Sequence, residues 1–304
     1  MNKKPKQKVL FVINPKSGSR QNTDYTKKIE QFAGEELFEF EIYRTTGEND
    51  GEQIQKLTKN YQPEKVIAIG GDGTFNMVAA EFIGSKIKVG IVPGGSANGL
   101  AYNLNIPARF EEALKINIQG AFKPMDVIRI NNKHYCFHLS DIGINARIIK
   151  RFERENTRGM LGYGKQLFKE LFSPKSFFSC TINTGSKKKK LKAEMIVIAN
   201  AQSYGTGVKI NPQGNLNDGK FEVVIIKPYP WWFVFTFIFA GFTGSLHRME
   251  YVKVFRAEKA QILLNKYHDF HIDGEIIGKT KHLDIEIIPH ALHVIHRNTT
   301  TLSV

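Results

Sequence analysis

Three loops of small residues are where this sequence could first do chemistry: Asn14-Pro15-Lys16-Ser17-Gly18, Gly70-Gly71-Asp72-Gly73-Thr74 and Pro93-Gly94-Gly95-Ser96-Ala97-Asn98. A loop of this kind, after a buried strand and before a helix, lets backbone N–H groups approach a ligand. It also aims the positive end of the helix at that ligand, a geometry suited to phosphate. The middle block has this context, with Val66-Ile67-Ala68-Ile69 before it and residues 75–83, apolar at helical spacing, after it. Taken singly, such a block also reads as a plain glycine-rich connector. Two familiar nucleotide signatures are excluded. A dinucleotide fingerprint through Gly71 and Gly73 needs glycine or alanine where Asn76 stands, and no Gly-Lys-Ser/Thr of a P-loop is usefully placed.

Regular elements must hold these loops. Val9-Leu10-Phe11-Val12-Ile13 reads as a buried strand, residues 24–32 as a helix, 38–43 as a strand and 50–60 as a helix; Val89-Gly90-Ile91-Val92 repeats the strand theme. Strand, loop and helix recurring in this way predict an open parallel α/β nucleotide-binding domain over residues 1–126, with 292–304 available to complete it. Beyond Asp126 come short strand-like stretches: 127–130, 135–139, 177–183, 195–200, 221–226, 261–264, 268–272 and 283–288. They predict an antiparallel β-sandwich domain over 127–291. Helical stretches interrupt it at 162–172 and after Pro228 and Pro230.

The 304 residues carry 43 Lys+Arg against 29 Asp+Glu, a formal charge of +14. Such a surplus favours nucleic acid, nucleotide or an anionic membrane face as partner. No nucleic-acid-reading module supports the first, so a non-catalytic basic nucleic-acid-binding protein rests on charge alone. Cys136 and Cys180 both lie in apolar stretches, which argues against a disulfide framework or cysteine zinc site and for a reducing, cytoplasmic setting. Asn14-Pro15 cuts the first apolar run short of a signal-peptide core. His290, His293 and His296 would share a face only on a helix, and Pro289 argues against one there.

The three loops, together with Tyr204-Gly205, Asn217-Asp218-Gly219-Lys220-Phe221-Glu222-Val223 and Asp273-Gly274-Glu275, resemble the diacylglycerol kinase catalytic domain superfamily, which includes bacterial lipid kinases and sphingosine kinases. The resemblance implies a two-domain lipid kinase with ATP in the cleft between domains. Nucleotide contacts would come from Asn14, Pro15, Lys16, Ser17, Gly18, Thr46, Gly70, Gly71, Asp72, Gly73, Thr74, Phe75, Asn76 and Ser96, with Asp72 acting through magnesium or its waters. Glu275 matches the position of the proton acceptor, and Asp218 that of a Mg2+ site formed with the main-chain carbonyls of Asn215 and Lys220. The two acids could exchange roles. As bare sequence, Asn217-Asp218-Gly219 reads first as a hairpin turn.

A lipid kinase must reach a substrate in the bilayer. Residues 229–242, Tyr-Pro-Trp-Trp-Phe-Val-Phe-Thr-Phe-Ile-Phe-Ala-Gly-Phe, hold both tryptophans and are too short to span it, which suits either a core helix or an interfacial segment. Lys187, Lys188, Lys189, Lys190 and Lys192 read as a hairpin tip able to face an anionic leaflet. Arg147, Lys150, Arg151, Arg154 and Arg158 are a second basic stretch, suited to a headgroup or nucleotide phosphates. The expectation is a cytoplasmic, peripherally membrane-associated enzyme, with room for a homodimer. Diacylglycerol is the leading acceptor. Asn98-Gly99-Leu100-Ala101 leans toward sphingoid-base kinases, but Arg147 stands where a sphingoid amine calls for an acid. An NAD-kinase-like enzyme with a soluble nucleotide acceptor is the remaining enzymatic alternative.

Overall fold

The computed structural model describes residues 7–17, 24–36, 38–95, 98–143, 177–204, 208–230 and 232–297. The chain divides into unit 1, residues 1–124 with 291–304, and unit 2, residues 125–290.

In unit 1, β1 (Lys8–Ile13) lies between β2 (Glu39–Arg44) and β3 (Lys65–Gly70), with β4 (Lys88–Pro93) beyond β3, all parallel. Strands covered on both faces must be apolar throughout, and Val9 to Ile13 and Val66 to Ile69 are at most 3% exposed. Helices α1 (Tyr25–Glu36), α2 (Asp50–Tyr61), α3 (Asp72–Ala80), α4 (Gly99–Asn103) and α5 (Phe110–Gln119) complete the alternation. The end of a late strand, β14 (Glu275–His296), adds to this sheet, with His293 and Val294 paired in parallel to Lys88 and Val89. The order 2-1-3-4 means that the chain leaves β1 on one side and returns on the other. Such a reversal opens a crevice outside the carboxyl ends of β1 and β3, where open α/β sheets bind ligands.

Unit 2 is a sandwich. One layer is β12 (Val252–Ala257), β11 (Phe221–Ile226), β10 (Met195–Ala199), β7 (Leu139–Gly143) and the last residues of β13 (Lys259–Ile272). The other is β9 (Lys188–Ala193), β8 (Phe178–Asn183), the first half of β13 and β14, with β5 (Ala121–Ile130) and β6 (His134–Cys136). β13 serves both layers and changes register between Leu263 and His268, an irregularity typical of strands that turn a sandwich corner. Alternation separates two cores. Ile196, Ile198, Val223 and Ile225 point between the layers with Cys180, Ile182, Ile262 and Leu283. Val197, Ala199, Val224 and Ile226 point outward, beneath α6 (Phe233–Thr243), where Tyr229, Ala240 and Leu246 join them.

Some elements differ from the sequence expectation. The lysine run is not a hairpin tip: Thr184 N–H donates to Lys187 O to close the turn, and Lys188 to Lys192 are paired strand residues of β9. The stretches 261–264 and 268–272 are one strand, and 283–288 is part of the 22-residue β14. The helix 162–172 and the basic stretch 147–158 lie outside the described residues. Among those described, no helix is long and apolar enough to cross a membrane.

Candidate functional site

The switch-point crevice of unit 1 gathers most of the expected nucleotide residues. Asn14 N–H donates to Ile69 O, and Asn14 Nδ2 donates to Thr74 Oγ1, both at 3.1 Å, so the loop after β1 is tied to β3 and to the first turn of α3. Lys16 N–H turns back to Asn14 Oδ1 at 2.9 Å and Ser17 N–H to Asn14 O at 3.2 Å, a tight turn that leaves Pro15 and Lys16 exposed. The third loop sits on the second: Gly94 N–H donates to Gly70 O at 2.7 Å. A Cβ on Gly95 would stand 2.6 Å from Gly71 Cα, and one on Gly94 2.9 Å from Ser17 Oγ. Glycine is required where these backbones touch. Thr46 follows β2 at the same end of the sheet, since Thr45 N–H donates to Ile13 O at 2.9 Å, but its own N–H donates to Asp50 Oδ1, in the first turn of α2, at 2.8 Å.

Other expected contact residues lie in α3 rather than in its preceding loop. β3 ends at Gly70 and α3 begins at Asp72, so only Gly71 is loop, while Gly73, Thr74, Phe75 and Asn76 are helical. Phe75 is fully buried, and its side chain belongs to the core. Asp72 Oδ2 accepts from Gly99 N–H at 2.8 Å and Oδ1 from Leu100 N–H at 3.1 Å, so peptide dipoles at the start of α4 meet its charge. Gly18 and Ser96 lie outside the described residues. The remaining geometry fits a phosphate chain: side-chain-free backbone at Gly70, Gly71, Gly94 and Gly95 adjoins the N-terminal turn of the nine-residue α3.

In unit 2, Asp218 lies in the Asn217–Gly219 turn, with Gly219 at φ +70°, and this turn leads into β11 rather than joining two hairpin strands. Its Oδ1 accepts from Lys220 N–H at 3.1 Å and its Oδ2 from Arg256 of β12. Arg256 Nε also reaches Glu222 Oε1 at 3.3 Å, and Asn211 Nδ2 donates to Glu222 Oε2 at 2.7 Å. Burial pushes the Glu222 carboxyl pKa up. Carbonyls of Asn215 and Lys220 with the Asp218 carboxylate are an all-oxygen donor set, which is what magnesium takes, with Arg256 competing for the one carboxylate. No group of three or more His, Cys, Asp or Glu side chains able to hold a metal occurs among the described residues.

Glu275 starts β14 opposite Ile272, across the two-residue turn Asp273-Gly274 with φ +49° and +92°. Asp273 locks this hairpin in place. It accepts from the N–H groups of Phe137, His138 and Leu139 at 2.8 to 2.9 Å, while its own N–H donates to Leu139 O at 2.8 Å. Burial raises the Asp273 pKa against the pull of those donors. Glu275 itself is exposed, on a different element from Asp218.

Other polar groups were missed by sequence reasoning. Asp126, fully buried, accepts from Gly219 N–H at 2.6 Å and His290 N–H at 2.7 Å, while its N–H donates to Leu216 O; it fixes the Asp218 turn from behind. His271 Nε2 lies 2.7 Å from Asp141 Oδ2, which also accepts from Tyr204 Oη at 3.1 Å. The available signal was a carboxylate or imidazole within an apolar strand, as in Met125-Asp126-Val127 and Phe270-His271-Ile272, which is rarely buried without partners.

Phosphate-type loops at a sheet switch point, with an acid-bearing antiparallel sandwich on the same chain, define a two-unit phosphotransferase. Residues 8–130 match the diacylglycerol kinase catalytic domain and residues 140–296 the YegS C-terminal NAD kinase beta sandwich-like domain. The chain belongs to this diacylglycerol kinase catalytic domain superfamily and is a kinase with an alcohol group as acceptor. It is 26% identical over 292 residues to the probable lipid kinase YegS-like of Yersinia enterocolitica, covering 93% of this chain and 95% of the relative. A namesake from Klebsiella pneumoniae is 33% identical over 166 residues, covering 53% and 56%. The fold matches that of a diacylglycerol kinase from Bacillus anthracis with TM-score 0.80 at 21% identity, over 99% of this chain and 100% of the other.

Proposed function

We propose that the chain is an ATP- and magnesium-dependent lipid kinase that phosphorylates the primary hydroxyl of a membrane lipid, diacylglycerol first among them, giving phosphatidic acid. The observation that carries the nucleotide half is the meeting of the loops after β1, β3 and β4 at the switch point, with glycine backbones in contact. Backbone N–H groups and the start of α3 hold the phosphates there. Glu275 takes the hydroxyl proton as the lipid oxygen attacks the γ-phosphorus; the bond from that phosphorus to the β,γ-bridging oxygen breaks, and ADP leaves. Magnesium, when bound through Asp218 and the Asn215 and Lys220 carbonyls, supplies charge compensation to the phosphates. Arg256, held between Asp218 and Glu222, positions that carboxylate.

The choice of acceptor rests on packing. Gly99, Leu100 and Ala101 are buried in unit 1 with two of their N–H groups on Asp72, so the likeness of this stretch to sphingoid-base kinases speaks of packing rather than of the acceptor. The test is incubation with labelled ATP and magnesium against detergent-dispersed diacylglycerol, sphingosine and soluble NAD, with products identified by mass spectrometry. Phosphatidic acid is expected. Transfer to NAD alone, or to none of the three, would refute the proposal.

A further inference from the structure

Of the segments that the sequence offered to a membrane, the two among the described residues lie on opposite sides of unit 2. Lys188, Lys190 and Lys192 pair with Asn183, Thr181 and Ser179 and share the outer face of the β9 layer with them and with Leu263, because the alternating residues Ile182, Cys180 and Ile262 point between the layers. Helix α6 covers the outer face of the other layer. A flat bilayer meets one side of a sandwich at a time, so the two segments cannot both face it at once.

We propose that α6 is the docking face and that an anionic lipid leaflet is its occupant, an inference that rests on the lipid-kinase reading for its biological sense. The helix has no charged residue. One side, Phe233, Phe237 and Ala240, packs on the sheet together with Tyr229 of the preceding segment. The stripe at the spacing of the other side carries Trp232, Thr236, Phe239 and Thr243 with Phe242 on its flank, and Trp232, Phe239 and Phe242 are 61%, 69% and 59% exposed. A solvent-facing aromatic stripe of this size marks an interaction surface. Its borders decide the occupant. Lys209, whose N–H donates to Gly241 O, Arg248 in the next turn, and Lys227, which stacks on Tyr251, border the helix, with Glu250 an exposed carboxylate of the same region. An apolar stripe with an indole at its edge and a basic border matches the acyl boundary beneath anionic headgroups. A second copy is a poorer match, since a two-fold contact would set these cations against their own counterparts on a chain of charge +14.

The tryptophans supply the probe, because the protein has only two and they adjoin at 231 and 232. Vesicles of phosphatidylcholine and phosphatidylglycerol with brominated acyl chains should quench their emission, and the protein should co-sediment. Phe239→Ser with Phe242→Ser should weaken both by at least about tenfold with unchanged circular dichroism and melting, since both rings are exposed. Lys188→Ser, Lys190→Ser and Lys192→Ser together should leave the quenching of vesicle-bound protein within about twofold. The proposal is overturned if the phenylalanine variant binds vesicles normally, if the lysine variant alone loses binding, or if lipid-free sedimentation shows a dimer that only the phenylalanine variant dissociates. Transfer to detergent-dispersed diacylglycerol is scored separately. Phosphorylation without vesicle binding removes the docking face and leaves the kinase, and vesicle binding without phosphorylation does the reverse.

Discussion

The Asn14 side-chain amide donates to the Thr74 hydroxyl at 3.1 Å across sixty residues of sequence, joining the turn after β1 to the first turn of α3. That bond holds the two sides of the switch-point crevice in one arrangement before any ligand arrives. Asn14→Ala and Thr74→Val should each lower urea-unfolding stability, and the double variant should lose less than the sum. A coupling of about 1 kcal/mol is expected; strict additivity would mean that the bond does not form in solution.

Gly95→Ala should impair nucleotide binding by at least about tenfold, because the new methyl meets the backbone of Gly71, which no side-chain rotation can clear. Calorimetric titration with an ATP analogue, read beside the melting temperature, checks this. Gly34→Ala, at a helical position with open space around it, is the matched control and should be neutral or slightly stabilising.

Glu275→Gln should reduce turnover by roughly a hundredfold or more while ATP affinity stays within about twofold, as expected of a proton acceptor that touches only the lipid hydroxyl. Near-normal turnover would assign the base elsewhere, with Asp218 the next residue to replace.

Lys65 is 4% exposed, and its ammonium donates to the last carbonyls of α5, Asn117 O at 3.1 Å and Ile118 O at 2.5 Å. Burial, and then neighbouring Lys88, lower its pKa from 10.5 to about 8. Between those values the unfolded chain binds a proton that the native state does not, so this group makes stability rise with pH across the window, by up to about 3 kcal/mol. Below pH 8 both states are protonated and the contribution is flat at its least favourable. Urea unfolding from pH 7 to 10.5 should show this rise in the parent protein and its loss in Lys65→Met; equal slopes would exclude Lys65 as the source.

What was legible in the sequence followed from burial on two faces or from strict alternation. Val9 to Ile13 and Val66 to Ile69 read as central strands because a parallel sheet covered by helices admits only apolar side chains there. The lysine strand β9 was not legible: lysine is a weak strand former, and only pairing with β8, with Leu191 turned inward beside Cys180, makes it one. The glycine loops stood out, but no sequence pattern says that α4 will bring its N–H groups to both Asp72 oxygens. Asp126 was passed over because a buried carboxylate is held through partners 93 and 164 residues away, Gly219 and His290, which only the fold assembles.

The last residues of β14 pair with β4 only after the whole of unit 2 has been made. During translation, β4 therefore waits with one open edge while residues 125–290 are synthesised, an interval on the order of ten to thirty seconds at ordinary elongation rates. An apolar strand with unpaired N–H and C=O groups is a template for association with other chains. Unit 1 is thus the later of the two to be sealed although its residues emerge first, and a nascent chain halted before Ala291 would carry an unprotected sheet edge that chaperones, or other nascent chains, can bind.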